Sequence, residues 1–202
     1  MNTKLCHLTI GVGLMLWGTG IFSRADAAEI PIKGTFSGTY VNTQIDTNND
    51  GLKAALAILG AKGTFGPSTI QGVNEIVFSG PATCPNGNAG VGFTLLRPQL
   101  PAAPTNFVQR FESTGDLLFS EQTSLTLCFD LTTQIQFASG TANFTGGTGR
   151  FEGATGTFTF EATLRTLFED AVGNFFGEQS GTTEGTLILP TGRDQDHPKG
   201  RD

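Results

Sequence analysis

The stretch Thr145-Gly146-Gly147-Thr148-Gly149-Arg150-Phe151-Glu152-Gly153-Ala154-Thr155-Gly156-Thr157-Phe158-Thr159-Phe160-Glu161 decides the fold class. Its glycines mark a tight, backbone-crowded connection, and the residues after them alternate between apolar and polar. Phe158, Phe160, Ala162 and Leu164 fall on one face; Thr157, Thr159, Glu161, Thr163 and Arg165 fall on the other. A period of two belongs to a half-buried strand. A strand after the glycines also excludes a phosphate-cradling loop, which needs a helix there.

The same rhythm recurs on both sides of this run. Residues 30–43 read as a first strand, with Ile32, Phe36 and Tyr40 on one face. Further strands are predicted over 70–78, from Val91 through Phe93 and Leu95, over 107–112 and 115–120, and over 182–189. Prolines 98, 101 and 104 halt the fourth. Leu125, Leu127 and Phe129 share a face, which places Cys128 on the other. Ile135 and Phe137 continue the alternation, whereas Ala142 and Phe144 have the opposite parity, so a bulge near Gly140 is expected to absorb the switch. Residues 52–59 are rich in Ala and Leu and end at Gly60, which predicts a short helix. Loops are expected over 79–90, around Pro85-Asn86-Gly87, and over 169–177. About eight short strands with little helix make an all-β domain, either a sandwich or a closed antiparallel barrel.

The ends of the chain read differently. Lys4, an apolar stretch from Leu8 to Trp17 and the small-residue site Ala25-Asp26-Ala27 form an export signal over residues 1–27. Residues 28–190 are the domain, and 191–202 are a polar tail expected to be disordered. The protein is therefore expected to be secreted or periplasmic, with no membrane insertion once the signal is removed. Phe occurs 17 times against one Tyr and one Trp, a core-filling choice. A net charge of −6 without a basic cluster argues against a nucleic-acid partner.

Beyond the signal two cysteines remain, Cys84 and Cys128, and an even count in an exported chain favours a disulfide over two free thiols. A bridge of that span contributes on the order of 4 kcal/mol in the chain-entropy model. His197, in the tail, is the one histidine beyond the signal, so the domain cannot build a Ser–His–Asp arrangement. Carboxylate pairs for proton transfer would have to come from Glu75, Glu112, Asp116, Glu121, Asp130, Glu161 and Glu184. Strand parity turns Glu161 towards solvent and sets Glu75 beside Val73 and Val77, where burial would raise its pKa. Asp46-x-Asn48-x-Asp50-Gly51 has the oxygen spacing of a calcium loop, with the Leu52 carbonyl as a fourth ligand. The twelfth position is Ala57 rather than a bidentate carboxylate, and the same residues also suit a plain turn. Calcium is the one cofactor suggested. Asn143-Phe144-Thr145 matches a glycosylation acceptor.

Gly146-Gly147-Thr148-Gly149-Arg150-Phe151 and Gly153-Ala154-Thr155-Gly156 resemble the bacterial members of the allene oxide cyclase barrel-like group, related in fold to plant dirigent proteins. Gly115-Asp116-Leu117-Leu118 and Gly34-Thr35-Phe36-Ser37-Gly38 add to the likeness. The resemblance implies an eight-stranded antiparallel barrel with a central cavity, Phe151 plugging one end, and assembly as a homo-oligomer, as in the trimeric plant relatives. Plant cyclases close an epoxide into a cyclopentenone, and dirigent proteins steer the coupling of phenoxy radicals. Catalytic residues of neither family align here, and a shared fold does not confer function. Three functions are therefore expected to compete: a non-catalytic module for a small apolar molecule or for assembly, a cyclase- or dirigent-like enzyme, and a calcium-stabilised extracellular structural protein.

Overall fold

The computed structural model describes residues 27–46, 52–95 and 106–190. The expected export signal (Ala27 aside) and the polar tail lie outside these residues, as do Asn48 and Asp50. Nine strands occur in chain order: β1 Ala27–Asn42, β2 Ala54–Gly63, β3 Gly66–Thr83, β4 Ala89–Leu95, β5 Asn106–Phe111, β6 Leu117–Asp130, β7 Ile135–Gly147, β8 Thr155–Glu169 and β9 Phe175–Pro190. A single 3-10 turn, Gly149–Phe151, joins β7 to β8.

Every pairing is antiparallel, and the sheet closes on itself. The ring runs β1, β2, β3, β4, β6, β7, β8, β9 and back to β1. The ninth strand, β5, shares the slot of β4: both lie between β3 and β6, β4 at one end of the barrel and β5 at the other. Closure leaves few exposed edges, the usual liability of an all-β domain. The eight-position barrel expected above is therefore correct, with one position split.

Three local expectations need correction. Residues 52–59 do not form a helix. Ala54–Gly63 is strand β2, paired on one side with β1 and on the other with β3. Its Ala and Leu residues favour helix only weakly, and two flanking strands override that preference. The parity switch does not fall at Gly140 either. In β7, Gln136, Ala138, Ala142 and Phe144 all face the interior; the register with β6 shifts instead at Thr145 of β7 and in β6 between Gln122 and Ser124. Gly140 has no room for a side chain: a Cβ there would strike the Ser124 backbone carbonyl and come within 2.7 Å of the Phe160 ring. Finally, β3 and β9 extend further than expected, so the loops shrink to 84–88 and 170–174.

The core has two layers along the barrel axis. At one end Phe111, Leu118, Phe144, Phe151, Ala154 and Leu187 pack together. At the other, Tyr40, Leu95, Leu125, Ala138 and Leu164 do so. The Thr145–Glu161 run builds the first layer. Gly149 sits at φ +56°, where a side chain would be strained and would also strike the Asp116 carboxylate. That bend turns Phe151 inward until it is completely buried. Phe151 thus plugs the end of the barrel.

Candidate functional site

Between the two layers lies a cavity of about 200 Å³. Small side chains create it. β2 presents Ala55, Ala57 and Ala61 to the interior, β7 presents Ala138 and Ala142, and β8 presents Ala162. Phe36, Phe158 and Phe160 supply much of the remaining wall. An eight-stranded barrel is just wide enough to be filled by side chains or to hold one small ligand. Here the alanines tip the balance towards space. The volume exceeds that of a cavity known to admit a single benzene ring and falls below the usual range for drug-sized ligands.

Polar groups enter this lining as amides and hydroxyls, with Lys33 and Lys62 beside them. Gln136 Nε2 donates to the Tyr40 hydroxyl at 3.1 Å, and that hydroxyl shares a 3.0 Å bond with Thr166 Oγ1. Burial pushes the Tyr40 pKa above its ordinary value of 10.0, against the opposing pull of its bonds to Thr166 and Gln136. Asn74 Nδ2 donates to Gln122 Oε1 at 3.2 Å. Gln109 Nε2 donates to Ser68 Oγ at 2.8 Å. These inward amides were missed by a reading that looked for charged chemistry, although their parity within apolar strands is a legible signal.

Among the described residues no Asp, Glu, His or Cys lines the cavity. The seven candidate carboxylates are scattered. Glu161 is exposed, as its parity predicted, and so are Glu112, Glu121 and Glu184. Glu75 is fully buried but belongs to the outer face of β3, opposite Ala54 of β2. Asp116 pairs with Arg150 at the plugged end, Nε to Oδ2 3.5 Å. The Arg150 guanidinium lies over the rings of Phe65, Phe111 and Phe151, 4.7 Å from the last, and so caps the plug.

Asp130 serves a structural knot at the other end. Its carboxylate accepts from Thr133 Oγ1 at 2.6 Å, from Asn86 Nδ2 at 2.6 Å, from Asn88 Nδ2 at 2.9 Å and from the backbone of Thr132 at 2.7 Å. These bonds, that of Thr133 foremost, hold its pKa well below the usual carboxylate range. The 84–88 loop is also joined covalently to β6 by the Cys84–Cys128 disulfide, Cα–Cα 5.5 Å. Gly90 lies directly beneath the bridge, where a Cβ would sit 2.5 Å from one sulfur and 2.8 Å from the other.

Of the calcium-loop residues, Asn48 and Asp50 lie outside the described residues, while Asp46 and Leu52 flank that gap between β1 and β2. Among the described residues no group of three or more His, Cys, Asp and Glu side chains is placed to hold a metal.

No protein-family model matches the chain, and no curated protein matches its sequence. Among solved structures, the pterocarpan synthase dirigent protein GePTS1 is similar over 83% of this chain and 88% of its own, at 12% identity and a TM-score of 0.32. The barrel assignment here rests on strand register, which closes the ring without reference to any other protein.

Proposed function

We propose that this protein is an exported barrel whose lumen binds a small, largely apolar molecule. The observation that carries this reading is the interior space itself, walled by alanine and phenylalanine and furnished with a few neutral hydrogen-bonding groups. Such a mixture suits a ligand pocket, where apolar surface supplies affinity and sparse polar groups set orientation. Among the described residues no carboxylate, imidazole or thiol lines the space, which favours binding over acid–base catalysis. A dirigent- or cyclase-like activity would instead rest on confining a molecule that is already reactive.

Export is supported by the disulfide, which persists in oxidising compartments. Among the described residues no helix is long and apolar enough to cross a membrane. The outward positions of β8, from Thr157 to Arg165, are polar, unlike the apolar band of a membrane-spanning barrel. The calcium-stabilised alternative keeps Asp46, Asn48, Asp50 and the Leu52 carbonyl as its ligands, and an unchanged melting temperature on chelation would remove it.

The binding reading is tested by filling the space. Ala138→Phe and Ala162→Phe are expected to abolish the thermal shift that toluene produces in the parent protein. Native mass spectrometry of protein purified from its own host should show a retained small molecule and would give the subunit number. No thermal shift with toluene or any other single-ring compound would overturn the proposal.

A further inference from the structure

The 84–88 loop carries a reactive sequence. Asn86-Gly87 is the one Asn-Gly pair in the chain. In such a pair no Cβ shields the glycine nitrogen, which can attack the asparagine side-chain carbonyl carbon and close a five-membered imide. Asn86 and Gly87 are both exposed to water. Gly87 sits at φ +86°, and a Cβ built on it would meet nothing within 4 Å. Neither exclusion of solvent nor crowding therefore protects the pair.

Hydrogen bonds restrain the reacting groups instead. The Gly87 nitrogen, which is the nucleophile, donates to the Cys84 carbonyl at 2.8 Å and closes the turn. The Asn86 side chain is held at both ends. Its Nδ2, the leaving group, donates to Asp130 Oδ2 at 2.6 Å, and its Oδ1 accepts from the Asn88 backbone at 3.2 Å. Asp130 is itself buried and fixed by Thr132, Thr133 and Asn88. The loop ends are anchored by the Cys84–Cys128 disulfide and by the Cys84 nitrogen, which donates to the Asn88 carbonyl at 2.9 Å. An ionised carboxylate accepts from the side-chain amine but cannot give it the proton it needs to depart.

We propose that Asn86 is a guarded modification site: its amide stays intact while the Asp130 knot and the disulfide hold, and deamidates irreversibly once either gives way. The inference is independent of what the lumen holds. A bond forms between Gly87 N and Asn86 Cγ, and the Cγ–Nδ2 bond breaks. The side-chain nitrogen leaves as ammonia, taking the proton lost from Gly87 N. Water then opens the imide at either carbonyl, leaving aspartate or isoaspartate at position 86. In the aspartate product a carboxylate oxygen replaces Nδ2 opposite Asp130 Oδ2. A donor becomes an acceptor and two negative charges face each other, so the loop cannot close as before. Isoaspartate lengthens the backbone by one carbon and breaks the Cys84–Gly87 turn as well. The loop thus keeps a permanent record of having opened.

The test follows deamidation of the intact, oxidised protein at mildly alkaline pH by peptide mapping. The reaction proceeds from the opened population, so its rate reports opening. Asn86 in the folded protein is expected to react at least about tenfold more slowly than in the same protein unfolded in guanidinium with its disulfide intact. Asp130→Asn and, separately, Asn88→Ala are expected to speed the folded-state reaction at least about threefold. Asn86→Asp should melt below Asn86→Ala, because it adds a charge as well as losing the bond. Hydrogen exchange at the Gly87 amide of the parent needs no variant and should be slowed by a similar factor. Deamidation of the folded parent as fast as in guanidinium would overturn the proposal, as would unprotected exchange at Gly87. An unchanged rate in both folded variants would overturn the role of the knot. Asn86→Asp melting level with Asn86→Ala would overturn the charge conflict that keeps the loop from reclosing.

Discussion

Gln136 of β7 donates its side-chain amide to the hydroxyl of Tyr40 of β1, 3.1 Å across the barrel interior and 96 residues away in sequence. The Tyr40 ring also lies against Gly177 of β9, where any side chain would collide with it. One aromatic residue thus ties together four strands, its hydroxyl accepting from Gln136 and sharing a bond with Thr166 of β8.

Tyr40→Phe removes that hydroxyl and leaves Gln136 and Thr166 without their partner. A destabilisation of about 1–3 kcal/mol is expected by denaturant titration. The pH dependence has a definite sign. Burial raises the folded-state pKa above 10.0, so above that pH the unfolded chain releases a proton that the folded chain retains. Stability is complete below pH 10 and falls as pH rises through the folded pKa. Tyr40 is the one tyrosine of the chain, so an absorbance titration reports it alone. The alkaline loss should vanish in Tyr40→Phe.

The disulfide closes a loop between residues 44 apart. Replacing both Cys84 and Cys128 by Ala is expected to cost about 2–5 kcal/mol. Alkylation of the native protein without reductant should add no label by intact mass. Gly90→Ala is expected to lower the melting temperature as well, because its methyl group meets both sulfurs.

Asp130 predicts behaviour at the acid end. Its carboxylate is held below the usual range by the bonds from Thr133, Asn86, Asn88 and Thr132. A depressed folded-state pKa contributes stability above the unfolded value, near 4, and loses it as pH falls through the folded value. The melting temperature of the parent protein should therefore drop below about pH 4. Asp130→Asn should melt lower at neutral pH, and its difference from the parent should shrink on acidification.

Phe151 has no exposed surface and packs against Phe111, 4.7 Å between centroids with the rings tilted by 32°. Phe151→Ala is expected to cost about 3–5 kcal/mol. Arg150→Lys, which keeps the charge towards Asp116 but loses the planar stack on three rings, is expected to cost about 1 kcal/mol. Thermal denaturation of the two variants separates packing of the plug from its cap.

Much of the architecture was legible because β-structure writes itself as alternation. Phe158, Phe160, Ala162 and Leu164 face the lumen as their spacing requires, and Phe151 closes the end. Residues 54–63 misled because a run of Ala, Leu and Ile carries both helical propensity and strand parity, and the decision is made by neighbours distant in sequence. The bulge was assigned to the wrong position for a related reason. Parity compares residues within one chain segment, and Thr123, the extra residue in β6, looks unremarkable beside the conspicuous Gly140. The site was harder. Asn74, Gln122 and Gln136 are common residue types with no motif, and their convergence exists only once the ring has closed. Glu75 and Asp130 are buried as charged residues seldom are, yet neither lines the lumen, so burial alone was a poor guide to chemistry.

All sixteen residues of β1 lie in register with β9, from Ala27 beside Pro190 to Asn42 beside Phe175. The seam of the cylinder is therefore sewn between the earliest and the latest of its staves. A nascent chain carrying only the first of these can pair it with β2, but closing the ring must wait for the far end to emerge. Such long-range closure makes for slow folding.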